Sequence, residues 1–292
     1  MNILSFDIEE WAVAKSSGFG SPTLYAEYDA YLDRILNALD EKQCKATFFC
    51  TGQMAQFFPN VVKLIYERGH EVGCHSHVHT WMNKMTRDEA MDDTRKAVIE
   101  IEQCIGEKVL SYRAPAFSIG VQNPWMFEVL SVCGIERDAS VFPADRDLGG
   151  FPQFRADGPC WVAYQGTRIK EYPIRMAFIA GRKMAFSGGG YFRFFPLDFV
   201  SHQFDVAPYT MCYFHIGDLV TESIGFLSKA EYETYFKEAG TIKARFLRYI
   251  KSNLGKRHAM DKLMRLLSMK DFVNIAQADT LWNWDSEKMI SI

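Results

Sequence analysis

No run of about 18 apolar residues occurs anywhere in this 292-residue chain, which excludes a helix that spans a bilayer. Positive charge is not in excess either. The 33 Lys and Arg against 36 Asp and Glu leave a formal net charge of −3, so no global field draws the chain to nucleic acid or to an acidic membrane surface. The seven cysteines (Cys44, Cys50, Cys74, Cys104, Cys133, Cys160 and Cys212) never form a C-x-x-C pair and are odd in number. This speaks against a disulfide framework or a cysteine zinc site and for a reducing setting. Met1 to Asp7 lacks a basic segment, an apolar core and a small-residue cleavage site, so a cytoplasmic location is the expectation. Repeats and low-complexity tracts are missing as well. What is present, 48% hydrophobic and 24% charged residues, is ordinary globular usage. At about 150 residues per domain two domains could fit, but an α/β barrel of this length is routinely one.

Short β-rich runs alternate with helical patterns, the order of βα units around a parallel sheet or barrel. Strand patterns lie at 3–8, 46–51, 71–74, 109–112, 135–138, 168–174 and 211–214, with a candidate last strand at 272–275. Helical patterns cover 25–39, 59–68, 86–104 and 125–133; Thr86 and Glu89 form a capping box, and Gly134 stops the last of these. Between 142 and 160 the chain is rich in Pro, Gly, Asp and Phe without a period, a candidate lid or substrate-contact loop. The Gly188-Gly189-Gly190 run reads as a tight turn in an aromatic stretch. Beyond Leu227 two amphipathic helices are expected, one with Ile242, Phe246, Leu247 and Ile250 on a single stripe.

Side chains alternate along a strand, so Asp7 and Glu9 share a face if the first strand persists to Glu9, and Glu10 then faces away. In a barrel the carboxyl ends of the strands surround the active site, which makes these acids candidates for catalysis; solvated loop acids are the alternative. His75-Ser76-His77-Val78-His79 is the densest ionisable cluster. In a helical turn His75 and His79 could both ligate one metal while His77 points away, whereas an extended backbone would align all three. Two histidines and one carboxylate leave positions open for water and substrate, as in a catalytic zinc centre. Arg113 is held at a strand-to-loop junction by Pro115, which biases Ala114 to extended backbone. His215 ends another strand and reads, alone, as a core histidine.

At these residues the sequence resembles the polysaccharide deacetylases with a NodB homology domain, carbohydrate esterase family four. The motifs come in the family's chain order: Ser5-Phe6-Asp7, Thr47 to Gly52, Gly69 to His79, Arg113-Ala114-Pro115 and Phe214-His215. They span about three quarters of the chain. The resemblance implies a distorted (β/α) barrel of about seven parallel strands with the C-terminal helices packed on it. It makes residues 1–292 one domain, with the catalytic motifs within 1–220 and a helical extension over 227–292. It also implies hydrolysis of the N-acetyl group of an amino sugar in a bacterial surface glycan or its precursor, with release of acetate. Carried over by position, Asp7 resembles the catalytic base, His75 and His79 the metal ligands, Arg113 the residue that orients the base, and His215 the general acid. The metal would be a divalent ion, zinc first and cobalt or nickel next.

Many members have two adjacent aspartates where this chain has Asp7-Ile8-Glu9. Ile8 cannot ligate a metal, so strand parity nominates Glu9 as the third ligand. This arrangement is similar to a branch that includes intracellular and peptidoglycan deacetylases; a related branch hydrolyses small ureides without metal. A metal-independent ureide amidohydrolase and an inactive glycan-binding homologue are therefore the alternatives. Residues 138–143 and 188–193 resemble segments of deacetylases that act on bacterial surface glycans. Pro115, Phe117 and Tyr191 are candidate substrate contacts, and Phe142, Trp161 and Phe192 are further aromatics beside the motifs that could stack on a sugar face. The expected partner is an N-acetylated carbohydrate, with no nucleic acid. The basic stretch 243–270 reads first as a solvated helix face and second as a peripheral membrane contact. A homo-oligomer stays open.

Overall fold

A computed structural model describes residues 1–146, 149–179, 181–219, 225–236 and 238–292. Along the chain run β1 (Asn2–Ile8), α1 (Glu10–Ser16), α2 (Pro22–Glu41), β2 (Thr47–Cys50), α3 (Gly52–Phe57), α4 (Pro59–Glu67), β3 (Glu71–Cys74), α5 (Arg87–Ile105), β4 (Ser111–Tyr112), α6 (Met126–Val132) and β5 (Arg137–Asp138). They are followed by β6 (Cys160–Tyr164), β7 (Thr167–Glu171), β8 (Ala177–Ile179), β9 (Arg182–Met184), α7 (Gly189–Phe194), α8 (Leu197–Asp205), β10 (Thr210–His215) and α9 (Ile216–Leu219). The C-terminal part contains α10 (Lys229–Phe236), α11 (Ile242–Asn253), α12 (Ala259–Met269), α13 (Ile275–Leu281) and β11 (Met289–Ser291).

Among the described residues nine strands form one sheet in the order β10-β1-β2-β3-β4-β5-β7-β6-β11, and neighbours from β10 through β7 are parallel. The fold class is therefore α/β, with seven parallel strands and helices on the flank, as expected. Both faces of the sheet are buried, which is why its strands read as apolar runs. Alternation sorts their side chains. Leu4, Phe6 and Ile8 join Phe48, Cys50, Cys212 and Phe214 in the core under the helices, while Ile3, Phe49, Met211 and Tyr213 point into a second core on the inner face. Asp7 follows the parity of Ile3 and so points inward at the carboxyl end of β1, in register with Phe49 on one side and His215 on the other.

Three expectations are corrected. Residues 272–275 form no strand: Val273 makes a single bridge to Ile3, and Asn274 turns the chain into α13 through a capping box with Gln277. The glycine run is not a tight turn; Gly189 and Gly190 open α7, and Gly188 lies so close to Tyr213 that a Cβ there would stand 2.2 Å from its ring. The stripe on α11 does not pack on the barrel, although α12 and α13 bury Leu263, Leu266, Leu267, Ile275 and Ala278. The hairpin of β6 and β7 turns through Gln165 and Gly166, both at positive φ, as a two-residue turn requires.

Candidate metal and catalytic site

Four strand ends converge. Asp7 is the last residue but one of β1, His75 follows β3, Arg113 follows β4 and His215 closes β10. Strand β1 stops at Ile8, and Glu9 stands at the N-cap of α1 without capping it, its carboxylate turned into the site and buried. Asp7 is 2% exposed and Arg113 is fully buried. The guanidinium donates from Nη1 to Asp7 Oδ1 at 2.8 Å, from Nη2 to Ser5 Oγ at 2.9 Å and from Nε to the Ala139 carbonyl at 3.2 Å. Its planar face lies 4.3 Å from the Phe49 ring centroid. A buried charge pair is tolerated only when its remaining donors are met, and these contacts meet them.

Ser76 and His79 adopt left-handed backbone, φ 63° and 58°, and that coil brings the rings of His75 and His79 to the same carboxylate. Glu9 Oε2 lies 3.3 Å from His75 Nε2 and in close contact with His79 Nε2. The three side chains can present ligand atoms within 4.8 Å of one another. The ring of His75 has its Nδ1 at 2.7 Å from the Arg113 carbonyl, which can only accept, so Nδ1 carries the proton and Nε2 presents its lone pair to Glu9. Glu9 Oε2 and His75 Nε2 are both buried with no hydrogen-bond partner. Two acceptor atoms aimed at each other in a dry pocket are repulsive unless a cation lies between them. Two imidazoles and a carboxylate, one imidazole oriented through its other nitrogen by a backbone carbonyl, suit a divalent metal.

His215 lies over both acids, its Nε2 3.9 Å from Asp7 Oδ2 and 3.7 Å from Glu9 Oε1. Behind it, Nδ1 faces Asp218 Oδ2 at 3.3 Å, and Arg193 Nη2 stands 3.5 Å from Asp218 Oδ1. Burial opposes charge on this imidazole, but Asp218, Glu9 and Asp7 outweigh it and hold the imidazolium well above the usual histidine range. The ring edge reaches solvent, with the side chain 37% exposed. Burial likewise opposes charge on Glu9, and the charges of His79 and His215 draw its carboxyl well below the usual range.

Residues 22–135 match the polysaccharide deacetylase family, and residues 139–280 match a domain of unknown function, DUF3473. Residues 22–135 thus form a polysaccharide deacetylase domain. A peptidoglycan-N-acetylglucosamine deacetylase of Bacillus cereus is 31% identical over 115 residues, 38% of this chain and 40% of that protein. A chitooligosaccharide deacetylase of Sinorhizobium fredii is 29% identical over 94 residues, 30% of this chain and 42% of its own. The chain thus spans about two fifths of the length of these relatives. A crystal structure from Mycobacterium smegmatis, assigned to the polysaccharide deacetylases, superposes with a TM-score of 0.62 at 16% identity, covering 100% of this chain and 92% of that one, and so shares the fold.

The structure brings together six of the nine nominated residues: Asp7, Glu9, His75, His79, Arg113 and His215. His77 stands apart from the group: its backbone N–H donates to Asp93 Oδ2 at 2.7 Å, and its ring packs beneath Gly52, where burial lowers its pKa to about 4. Glu10 turns away and accepts from the Gly217 N–H. Pro115 is buried in the turn after Arg113, so its role there is to set backbone direction. Phe117 is also buried, between Phe142 and Tyr213, and its ring is core rather than a sugar platform. Phe142 and Phe192 are buried as well, and Trp161 packs edge to face with Trp284; Tyr191 stays half-buried beside Phe142.

The sequence reading missed Asp93, which accepts the N–H groups of both His77 and Val78 and thereby holds the histidine loop from α5. It also missed Ser140, which accepts the Ala114 N–H at 2.8 Å, and the Arg193–Asp218 pair behind His215. Asp218 had a signal, standing three residues after His215 at a helix start. The other three come from distant segments with no local pattern.

Proposed function

We propose that this protein hydrolyses the N-acetyl amide of an amino sugar in a bacterial surface glycan or its precursor, with a divalent metal held by Glu9, His75 and His79. The observation that carries the reading is the pair of orphaned, buried ligand atoms, Glu9 Oε2 and His75 Nε2, set beside the Asp7–Arg113 pair and under His215. The names of the relatives, peptidoglycan and chitooligosaccharide deacetylases, support the substrate class. The N,N,O donor set suits zinc first, with cobalt or nickel next. Seven unpaired cysteines fit a reducing, cytoplasmic setting, and among the described residues no helix is long and apolar enough to cross a membrane.

An amide carbonyl is a poor electrophile and water a poor nucleophile. A bound divalent cation supplies Lewis acidity toward the carbonyl oxygen and makes water more acidic. Asp7 takes the proton from the attacking water: Arg113 anchors its Oδ1, which leaves Oδ2 turned to the open side below His215. The amine departs only when protonated, and His215, held as imidazolium by Asp218, is placed to donate that proton. Arg193 keeps Asp218 in place, and Ser5 and Ala139 fix Arg113 against rotation.

Metal content by mass spectrometry, alongside acetate release from N-acetylated oligosaccharides with and without chelator, tests this. The expected outcome is about one ion per chain and chelator-sensitive release. Asp7→Asn is expected to keep the metal while turnover falls by about 10²–10⁴-fold, whereas His79→Ala loses both. Unchanged metal content in His79→Ala would remove the ligand assignment. Release indifferent to chelator would move the ureide amidohydrolase ahead, and no release at all the glycan-binding homologue.

A further inference from the structure

The loop after β5 folds back over the turn that follows Arg113. Ala144 and Phe151 donate their N–H groups to the Phe142 carbonyl at 2.8 and 2.7 Å, and Gly150 donates to the Phe117 carbonyl at 2.9 Å. Gly149 permits the approach, since a Cβ there would stand 2.5 Å from that same Phe117 oxygen. The turn beneath is strained: Ala116 and Phe117 both hold φ 54°, left-handed backbone in two consecutive non-glycine residues, and such strain gathers at functional sites. On this base lies Arg146. Its guanidinium carbon is 4.5 Å from the Phe142 ring centroid and 5.1 Å from that of Phe117. The Phe117 ring is shared with Arg113, whose guanidinium carbon is 5.5 Å away, and it packs edge to face on Tyr213, two residues before His215.

Arg113 and Arg193 spend their donors on acids and carbonyls around the site. Arg146 makes no hydrogen bond and no ion pair among the described residues, and its Nη1 is buried without a partner. Aromatic faces attract the charge but leave the in-plane N–H groups unmet. A guanidinium set on such rings keeps its edge for a planar acceptor that takes two parallel N–H bonds, which is the geometry of a carboxylate. Arg113, the other cation at these rings, is already neutralised by Asp7, so one free positive charge is left and a singly charged acceptor matches it. Tyr191, half-buried in α7 with its ring 6.5 Å from that of Phe142, adds a phenol to the same wall. We infer that Arg146 binds a carboxylate carried by the glycan, so that the protein acts on acidic rather than neutral amino-sugar chains. The acid subsite is read from Arg146 and its rings; that the acid belongs to a glycan rests on the proposed function.

The test is calorimetric titration of the full chain with three soluble probes. Chitotetraose is neutral, a hyaluronan tetrasaccharide carries its acid as a uronate, and the disaccharide of N-acetylglucosamine and N-acetylmuramic acid carries it as a lactyl ether. At least one acidic probe should bind the wild type about tenfold or more tighter than chitotetraose, and the one that does so identifies the source of the acid. Arg146→Gln should lower that ratio of affinities by about tenfold or more, and Arg146→Lys, which keeps the charge without the fork, should recover only part of it. Thermal midpoints taken alongside show that the variants are folded; if the glutamine variant melts early through loss of its ring contacts, the lysine variant, which keeps a cation over them, carries the comparison. Equal affinity of the wild type for acidic and neutral probes overturns the subsite, as does a ratio that survives Arg146→Gln, or no binding of either acid. Binding reads out separately from turnover. A preference for acid without acetate release keeps the subsite and removes the enzymatic reading, and acetate release without the preference does the reverse.

Discussion

At the scale of single residues the site depends on which atoms are already engaged. His215 can donate a proton only while it is charged, and Asp218, Glu9 and Asp7 favour the charged form against burial. A raised pKa means the acid is competent below that value and is lost as pH rises through it. Asp218→Asn removes one of those anions while keeping the shape, so the alkaline limb of the rate profile should move to lower pH, with the acid limb less affected. A pH profile of acetate release checks this, and an unmoved alkaline limb would take Asp218 out of the relay. Arg113 is constrained more tightly, by Asp7, Ser5, Ala139 and Phe49 together. Removing one partner of a buried pair leaves the other charge uncompensated, at a cost of about 3–5 kcal/mol. Arg113→Met should accordingly lower the thermal midpoint as well as abolish turnover, which calorimetry would register.

Among elements, α5 does more than cover the sheet. Its start is secured by the reciprocal Thr86–Glu89 capping box, and one turn later Asp93 reaches across to the histidine loop. The loop carries two non-glycine residues in left-handed conformation, Ser76 and His79, and such strain persists only when its surroundings over-determine it. Asp93→Ala removes two of the bonds that do so without touching a ligand atom. Metal affinity should fall by about 10–100-fold, the range for outer partners of ligating histidines, with little change in helix content. Competition with a chromogenic chelator measures the first and circular dichroism the second; unchanged affinity would show that the loop holds itself.

For the whole molecule, the boundary between the two family matches falls inside one sheet. Strand β1 lies between β2 from the first part and β10 from the second, pairing with β10 along six consecutive positions. A chain ending at residue 138 would expose that edge and lose His215, so it should show no cooperative melting, whereas the full chain should melt in one transition. A cooperative transition in the shortened chain would mark residues 1–138 as an independent unit. Stability should also depend on pH through His70. Burial, with help from Lys45, lowers its pKa to about 4, and its Nδ1 accepts the Ala46 N–H at 3.3 Å. The unfolded chain binds this proton near pH 6.5 and the folded one only near 4, so stability is complete above 6.5 and declines as pH falls through that window. Between pH 7 and pH 5 the loss should be about 2 kcal/mol, and His70→Gln, which keeps an acceptor, should abolish that part of the difference in urea midpoints.

Much of this was readable from residues in order. The β-rich run Ile3 to Ile8 predicts a strand, side-chain alternation sets the facing of the acid at its end, and capping boxes, glycines and the His75-Ser76-His77-Val78-His79 run are local signals whose physics acts within a few residues. The barrel, the Arg113–Asp7 pair and the gathering of four strand ends were reached only through resemblance, because their partners are separated by as many as 208 positions, as between Asp7 and His215. Other features had no signal in the chain itself. That β1 ends at Ile8 and Glu9 still turns inward, that Phe117 is core, that Asp93 and Ser140 hold the loops, and that α11 shows its apolar side to solvent all depend on what packs against each segment. An amphipathic pattern says that a helix has two faces; which one meets the protein is decided by the surface it lands on, and here the tertiary structure turned the polar face inward.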